Sequence, residues 1–285
     1  MLMDLLSKAA TVAMLCFVVS SMLAMGSGLS TRQIVEPLRN ARLVLLALLA
    51  NFVLMPLAAF ALAKLLWLDN PFAVGLLVLG CAAGAPFLPK LAELAKGDLA
   101  FSVGMMVLLM VVTVVYLPVV MPLLLPGVTV DPWNIGRSLV LLMLLPLAAG
   151  LALNARYEEL AVRVKPLLAH ISNISLILLI LLITAANIDK VIEVVGTRAI
   201  LAGLLYIALG FGIGWLLGGP DNGTRRVMAL GTSQRNIAAG LVVASQSFSD
   251  DPKVVVMVTV VAIVGLIFLM PLARALPNRS VKHAT

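Results

Sequence analysis

The sequence predicts an all-α integral membrane protein of nine transmembrane helices in an inverted repeat, with the third and eighth helices broken in mid-membrane. Three observations predict it. The 285 residues are 62% apolar and only 12% charged, with a mean hydropathy of +1.13, which excludes an ordinary soluble domain. Nine apolar stretches approach the roughly 20 residues needed to cross about 30 Å of hydrocarbon. Two of them are interrupted by a polar segment that carries a cation: Gly84-Ala85-Pro86-Phe87-Leu88-Pro89-Lys90 and Gly231-Thr232-Ser233-Gln234-Arg235-Asn236.

The first span is expected over 9–28. Met1-Leu2-Met3-Asp4 carries an acid and no basic n-region, and no small-residue cleavage site precedes Leu29, so it reads as a retained span. The second (41–66), fourth (99–125) and fifth (136–155) hold Pro56, Pro118, Pro122 and Pro146, which predict kinks. The third (71–94) and eighth (226–247) contain the breaks, and the sixth (166–188), seventh (196–218) and ninth (253–276) complete the set. Trp67, Trp133 and Trp215 fall near span ends, where interfacial anchors sit. The connectors are short, which leaves no room for a sizeable extramembrane domain.

An odd number of crossings puts the termini on opposite sides. One side collects Arg32, Arg39, Arg42, Lys96, Arg156, Arg163, Lys165, Arg225, Arg226, Arg274, Arg279 and Lys282; the other collects Lys8, Lys64, Arg137, Lys190, Arg198 and Lys253. Twelve against six predicts a cytoplasmic C-terminus and an outside N-terminus, in a bacterial inner membrane. The same distribution accounts for the net charge of +7 without nucleic acid. The broken spans are five helices apart, so corresponding helices run in opposite directions: spans one to four repeat as six to nine, and the fifth is unpaired.

Unwound backbone inside a bilayer leaves N–H and C=O groups without partners, which is tolerated only where protein or a water-filled cavity satisfies them. A charge there costs about 3 kcal/mol or more. Paired broken helices in corresponding halves mark the binding site of secondary transporters. Gly84 and Gly231 supply backbone freedom, and Pro86 and Pro89 interrupt the helix. Enzyme readings lack support: His170 and His283 lie far apart, and no zinc-protease, nucleophile-elbow or P-loop pattern is present. Cys16 and Cys81, both in apolar sequence, form no disulfide framework or metal motif. No cofactor motif and no signal for oligomeric state is present.

The runs Met25-Gly26-Ser27-Gly28-Leu29, Asn51-Phe52-Val53-Leu54-Met55-Pro56, Ala73-Val74-Gly75-Leu76-Leu77-Val78-Leu79-Gly80-Cys81, Leu94-Ala95-Lys96-Gly97-Asp98-Leu99-Ala100-Phe101-Ser102-Val103 and Arg235-Asn236-Ile237-Ala238-Ala239-Gly240-Leu241 resemble the bile acid:sodium symporter family in order and spacing. The resemblance covers nearly the whole chain. It implies a panel domain of helices one, five and six and a core domain of the other six, with the two broken helices crossing at the core centre. The implied partners are the lipid bilayer and a small or amphipathic organic anion.

The departures from that family are specific. Where sodium-binding members carry Gly-Gly-Thr-Ala-Ser-Asn, this chain has Gly84 to Pro89, so the implied Ser and Asn ligands are absent. The family's next Ser and Thr ligands fall at Ser102 and Met106, so only the first remains. Glu-Val-Gly-Met-Gln-Asn is replaced by Gly231, Thr232, Ser233, Gln234, Arg235 and Asn236, which removes the shared carboxylate. The second-helix Gln is matched by Asn51. A hard cation needs about five or six oxygen ligands, and the matched residues do not supply them. Arg235, always charged, stands at a family sodium contact as a built-in cation, and Lys90 lies one position past the other.

The leading reading is therefore a sodium-independent organic anion transporter. Candidate binding residues are Arg235, Asn236, Gln234, Ser233, Thr232, Lys90, Asn51 and Ser102. Proton coupling through a buried Lys90 is a second reading, with an i,i+3 pair to Glu93 as its structural alternative. Sodium coupling with rearranged ligands, a metalloid efflux permease using Cys81, and a non-transporting sensor are the functional alternatives.

Overall fold

A computed structural model of the chain describes residues 2–30, 32, 35–124, 132–186, 194 and 197–276. The expected span ends at 125, 187–188 and 196, and the basic residues Lys190, Arg279 and Lys282, lie outside the described residues. Among the described residues every regular element is helical.

The long helices are α1 (Leu2–Gly26) and α2 (Ala41–Leu65). The third apolar stretch divides into α3 (Asn70–Cys81) and α4 (Leu88–Leu94). There follow α5 (Leu99–Leu124), α6 (Pro132–Leu139, a π turn over Val140–Leu144, then Leu145–Arg156) and α7 (Glu158–Ala186). Then come α8 (Ala199–Leu217), the divided pair α9 (Asn222–Ser233) and α10 (Ile237–Ser247), and α11 (Pro252–Ala275). Seven of these helices are long and apolar enough to cross a membrane. At 1.5 Å per residue, α3, α9 and α10 each reach only about 18 Å, short of the hydrocarbon thickness.

Element boundaries follow local chemistry. The sixth predicted span begins at Glu158, eight residues earlier than its apolar stretch, because a helix does not stop where the hydrocarbon does: Glu158 and Glu159 suit its first turn. Both π turns end two residues before a proline, Leu54 before Pro56 and Leu144 before Pro146. Pro56 has no N–H for the carbonyl of Phe52, and the Tyr116 hydroxyl donates to that carbonyl at 2.6 Å instead. The π turn of α2 holds Asn51, and π turns recur at functional sites.

Two groups of contacts stand out, with the first part of α6 also lying on α5 and α10. Helix α1 lies against α6 and α7, closely enough at Gly26 and Gly150 that a Cβ on either would sit within 2.5 Å of the other helix's carbonyl oxygen. In the second group α8 lies along α9 through Gly210, Gly214 and Gly218. A Cβ at Gly214 would stand 2.2 Å from the Met228 carbonyl oxygen. Small residues four apart are what let helix backbones approach in a membrane. Helix α11 packs on α3, α8 and α10, and the two divided pairs meet at the centre of this group.

Candidate functional site

The first break is the non-helical stretch from Ala82 to Phe87, and the second is Gln234 to Asn236. Both are shorter than the polar segments suggested. Leu88, Pro89 and Lys90 already belong to α4, with Pro89 in its first turn, where proline's missing N–H costs nothing. Gly231, Thr232 and Ser233 form the last turn of α9. Gly84 does use glycine's freedom: its φ is +80°, and a Cβ there would lie 2.3 Å from the Met110 nitrogen of α5. Gly231 is helical, so its role is space rather than torsion. A Cβ on it would meet Leu88 and Met105 side-chain carbons at 2.9 Å.

The unwound backbone finds its partners within the protein. Thr113, one hydroxyl in the apolar middle of α5, accepts from the Ala83 N–H at 2.9 Å and donates to the Ala83 carbonyl at 3.0 Å. Asn236 joins the two breaks. Its N–H donates to the Ala82 carbonyl at 3.0 Å, and its Nδ2 to Ala83 and Gly84 carbonyls at 3.3 and 3.1 Å. Its Oδ1 caps α10 by accepting from the Ala239 N–H.

Arg235 is 3% exposed and lies at the crossing. Its Nε donates to the Leu79 carbonyl at 2.9 Å, and Nη2 donates to the Gly80 carbonyl at 2.8 Å. Nη1 donates to Asn51 Oδ1 at 2.7 Å and to the Thr232 carbonyl at 3.3 Å. Leu79 and Gly80 are in the last turn of α3, and Thr232 is in the last turn of α9. Each helix C-terminus carries roughly half a negative charge. Two of them together offset about one positive charge, which is how a guanidinium is held here by neutral acceptors. A second arginine repeats the arrangement at the other end of the broken span: Arg226, also buried, donates to the Ala95 and Lys96 carbonyls just past α4.

The remaining predicted residues divide. Asn51 and Thr232 are drawn in, since Asn51 Nδ2 donates to Ala47 O at 3.0 Å and to Thr232 Oγ1 at 3.4 Å. Ser233 is buried and donates to its own helix at Ala229. Ser102 is buried and donates to Leu99 within α5. Lys90 stands apart: its side chain is 54% exposed and paired with Glu93 at 2.8 Å. Gln234 is buried and its Oε1 finds no hydrogen-bond partner.

Sequence reasoning missed Thr113, Tyr116 and Arg226. The first two were signalled only as isolated polar groups in an apolar helix, and Arg226 only as one of a run of basic residues. A small crevice opens beside the second break, lined by Ser233, Gln234 and Arg235 together with Leu79, Ile237 and residues of α8 and α11. A second lies between α7 and the α10–α11 pair and shares Ile237 and Ala262 with the first.

The pattern that defines the sodium bile acid symporter family matches residues 14–194, which includes the first break and stops before the second. "Probable sodium/metabolite cotransporter BASS1, chloroplastic" of Arabidopsis thaliana is 28% identical over 81% of this chain and 58% of its own length. "Uncharacterized sodium-dependent transporter YocS" of Bacillus subtilis is 27% identical over 80% of this chain and 72% of its own. "Hepatic sodium/bile acid cotransporter" of Rattus norvegicus is 33% identical over 34% of this chain and 27% of its own. The chain thus spans little more than half of the chloroplast relative.

Proposed function

The chain belongs to the sodium bile acid symporter family, a family of membrane transporters rather than enzymes, and on that footing we propose that it carries a small or amphipathic organic anion by alternating access without coupling to sodium. The observation that carries this reading is the Arg235 guanidinium, seated on the carbonyl ends of α3 and α9 and on Asn51. Carbonyl oxygens and a side-chain amide are the ligands a sodium ion seeks, and here a covalently tethered cation holds them.

The same reading extends to the other implied ion site. Leu88 stands where sodium-binding members carry Ser, and Gly231 where they carry the shared Glu. Leu88 packs directly on Gly231, together with Met105. In this reading hydrocarbon takes the place of two of the ligands that the resemblance implies for an ion. Lys90 is half exposed and ion-paired, so the burial on which a proton-carrying role depends is missing.

In this reading α3–α4 and α9–α10 are two discontinuous crossings. They bring the seven long helices to nine, related as an inverted repeat, with α1, α6 and α7 as the panel and the rest as the core. The excess of Lys and Arg on one side supports a cytoplasmic C-terminus in a bacterial inner membrane. A tethered cation stays with the protein through the cycle, so only the substrate's charge crosses. Each unit of it then responds to the membrane potential by about 2.3 kcal/mol per 100 mV.

The test is thermal unfolding of detergent-purified protein with a panel of carboxylates and bile salts, in matched sodium and choline buffers. A ligand that binds only the folded state raises the melting point. Equal stabilisation in both buffers is expected; stabilisation that requires sodium would overturn the reading.

A further inference from the structure

Helix α6 holds different neighbours with its two parts. The second, Leu145–Arg156, is fixed to α1. The backbones touch at Gly26 and Gly150, both buried, and Asn154 Nδ2 donates to the Leu29 carbonyl, just past α1, at 2.9 Å. The first part, Pro132–Leu139, lies instead on α5 and α10. There the Ser138 hydroxyl donates to Gln246 Oε1 in the last turn of α10. Next to Gln246 in sequence, the Ser245 hydroxyl lies 3.4 Å from Met14 Sδ of α1.

The two parts of α6 meet at a weak point. The π turn Val140–Leu144 is followed by Pro146, which offers no N–H to the Leu142 carbonyl, so the backbone ladder is interrupted where the neighbours change. The attachments on either side also differ in strength. Gly26 and Gly150 pack backbone on backbone away from solvent, whereas Ser138 is half-buried and Gln246 exposed, so water competes for their bond. In the topology proposed above, α1 begins, α6 begins and α10 ends on the outer side. The Ser138–Gln246 bond therefore closes the outer edge of the seam between panel and core.

We propose that the first part of α6 is an outer gate, hinged at the π turn and latched by Ser138 on Gln246, while the second part stays with α1. This rests on the panel, core and topology reading above and adds a moving part to it. One hydrogen bond of ordinary net strength biases a two-state equilibrium by about two- to ten-fold. That is enough to favour the closed seam and little enough to be released when the transporter changes state.

The test follows a reporter cysteine, Ser245→Cys, a near-isosteric change on the seam. It is made in a Cys16→Ser background, with the buried Cys81 kept. A membrane-impermeant maleimide is applied to right-side-out and to inverted membrane vesicles, and labelling rates are scaled to the detergent-denatured protein. Slow labelling from outside is expected in the parent. Gln246→Ala and Ser138→Ala should each raise that rate about two- to ten-fold, and Gln246→Glu, which keeps the acceptor, should stay near the parent. Adding Pro146→Ala to Gln246→Ala returns an N–H to the turn and should bring the rate back down.

Equal rates in the parent and the alanine variants overturn the latch. A Gln246→Glu rate as fast as that of Gln246→Ala does the same, because side-chain bulk rather than the bond would then hold the seam. A rate indifferent to Pro146→Ala overturns the hinge. Faster labelling in inverted vesicles for every variant marks failure of the topology, whereas equal rates among variants in right-side-out vesicles mark failure of the gate alone. The two alanine variants break one bond from opposite ends, so either decides if the other does not fold.

Discussion

Replacing Arg235 with Gln removes the cation from the crossing while leaving a polar side chain of similar reach. Arg235 makes four donations at 2.7 to 3.3 Å. A Gln amide has two N–H donors, so at least two of the four are lost, and those that remain are no longer charge-assisted. At about 1.5 kcal/mol each for bonds to a charged group, the loss is about 3 kcal/mol. The uncompensated ends of α3 and α9 add about 0.5–1 kcal/mol apiece. The variant should therefore be destabilised by about 4–5 kcal/mol, within the range seen when one side of a buried charge arrangement is removed. In a chain of this length that corresponds to a melting point roughly 10 °C lower. The carbonyl cluster would then be free to take a cation from solution. At a sodium concentration ten times its Kd, about 1.4 kcal/mol is recovered, so the variant should be a few degrees more stable in sodium than in choline while the wild type is indifferent. The assay is thermal unfolding of both proteins in both salts. A variant that melts within about 1 °C of the wild type in choline would refute the argument that these helix ends need a cation.

Thr113→Val keeps the shape and leaves the Ala83 N–H unpaired in a buried site, while the Ala83 carbonyl keeps its longer bond from Asn236; a loss of about 1–3 kcal/mol is expected, with Thr113→Ser restoring most of it in the same melting assay. Gly214→Ala should prevent folded expression, because its Cβ would meet backbone at 2.2 Å, whereas Gly231→Ala meets only the ends of Leu88 and Met105 and should cost about 1–2 kcal/mol; monodispersity on size exclusion and melting temperature separate the two. Lys90→Gln should leave both stability and the pH profile of transport unchanged, since its exposed pair with Glu93 contributes at most about 1 kcal/mol. In proteoliposomes, an imposed potassium-diffusion potential should change the flux of a monovalent substrate, positive inside favouring entry, and a flux blind to potential would show that a counter-ion accompanies the substrate.

Much of this architecture was legible because the bilayer makes a sequence explicit. Apolar runs of spanning length and polar interruptions within them cannot be accidents of a lipid-facing surface, and so the places where the helices divide were readable from Gly84, Pro86 and the stretch Thr232 to Asn236. What was not readable was the direction in which the polar groups act. Arg235 could be placed in a broken helix and read as a built-in cation, but its partners at the carboxyl end of α3 lie more than 150 residues away in the chain. Lys90 resolves differently because its partner is local: Glu93 is one turn on, and the pair was visible as an alternative from spacing alone. Thr113 and Tyr116 escaped notice for the reason that hid the partners of Arg235. Each serves a backbone group at a long sequence separation, 30 residues for Thr113 and 64 for Tyr116, where neither propensity nor periodicity carries information.

The departures from the family pattern also make sense only as a set. Leu88 beside a Glu at 231 would bury a carboxylate against hydrocarbon. A Gly at 231 without Leu88 and Met105 around it would leave a void in a packed interior. Arg235 beside a bound sodium ion would put two positive charges on the same carbonyls. Each substitution alone is costly, yet in this chain Gly231 is filled by Leu88 and Met105, and the carbonyl ends of α3 and α9 are neutralised by Arg235. Random decay of an ion site predicts holes, unpaired acceptors and stranded charges. Around these two positions the structure instead shows packed hydrocarbon and satisfied carbonyls, while nearby the Tyr206 hydroxyl and Gln234 Oε1 are buried without a protein hydrogen-bond partner. That pattern supports the proposed reading, a site rebuilt to work without a diffusible cation rather than one that has lost its ions and its purpose together.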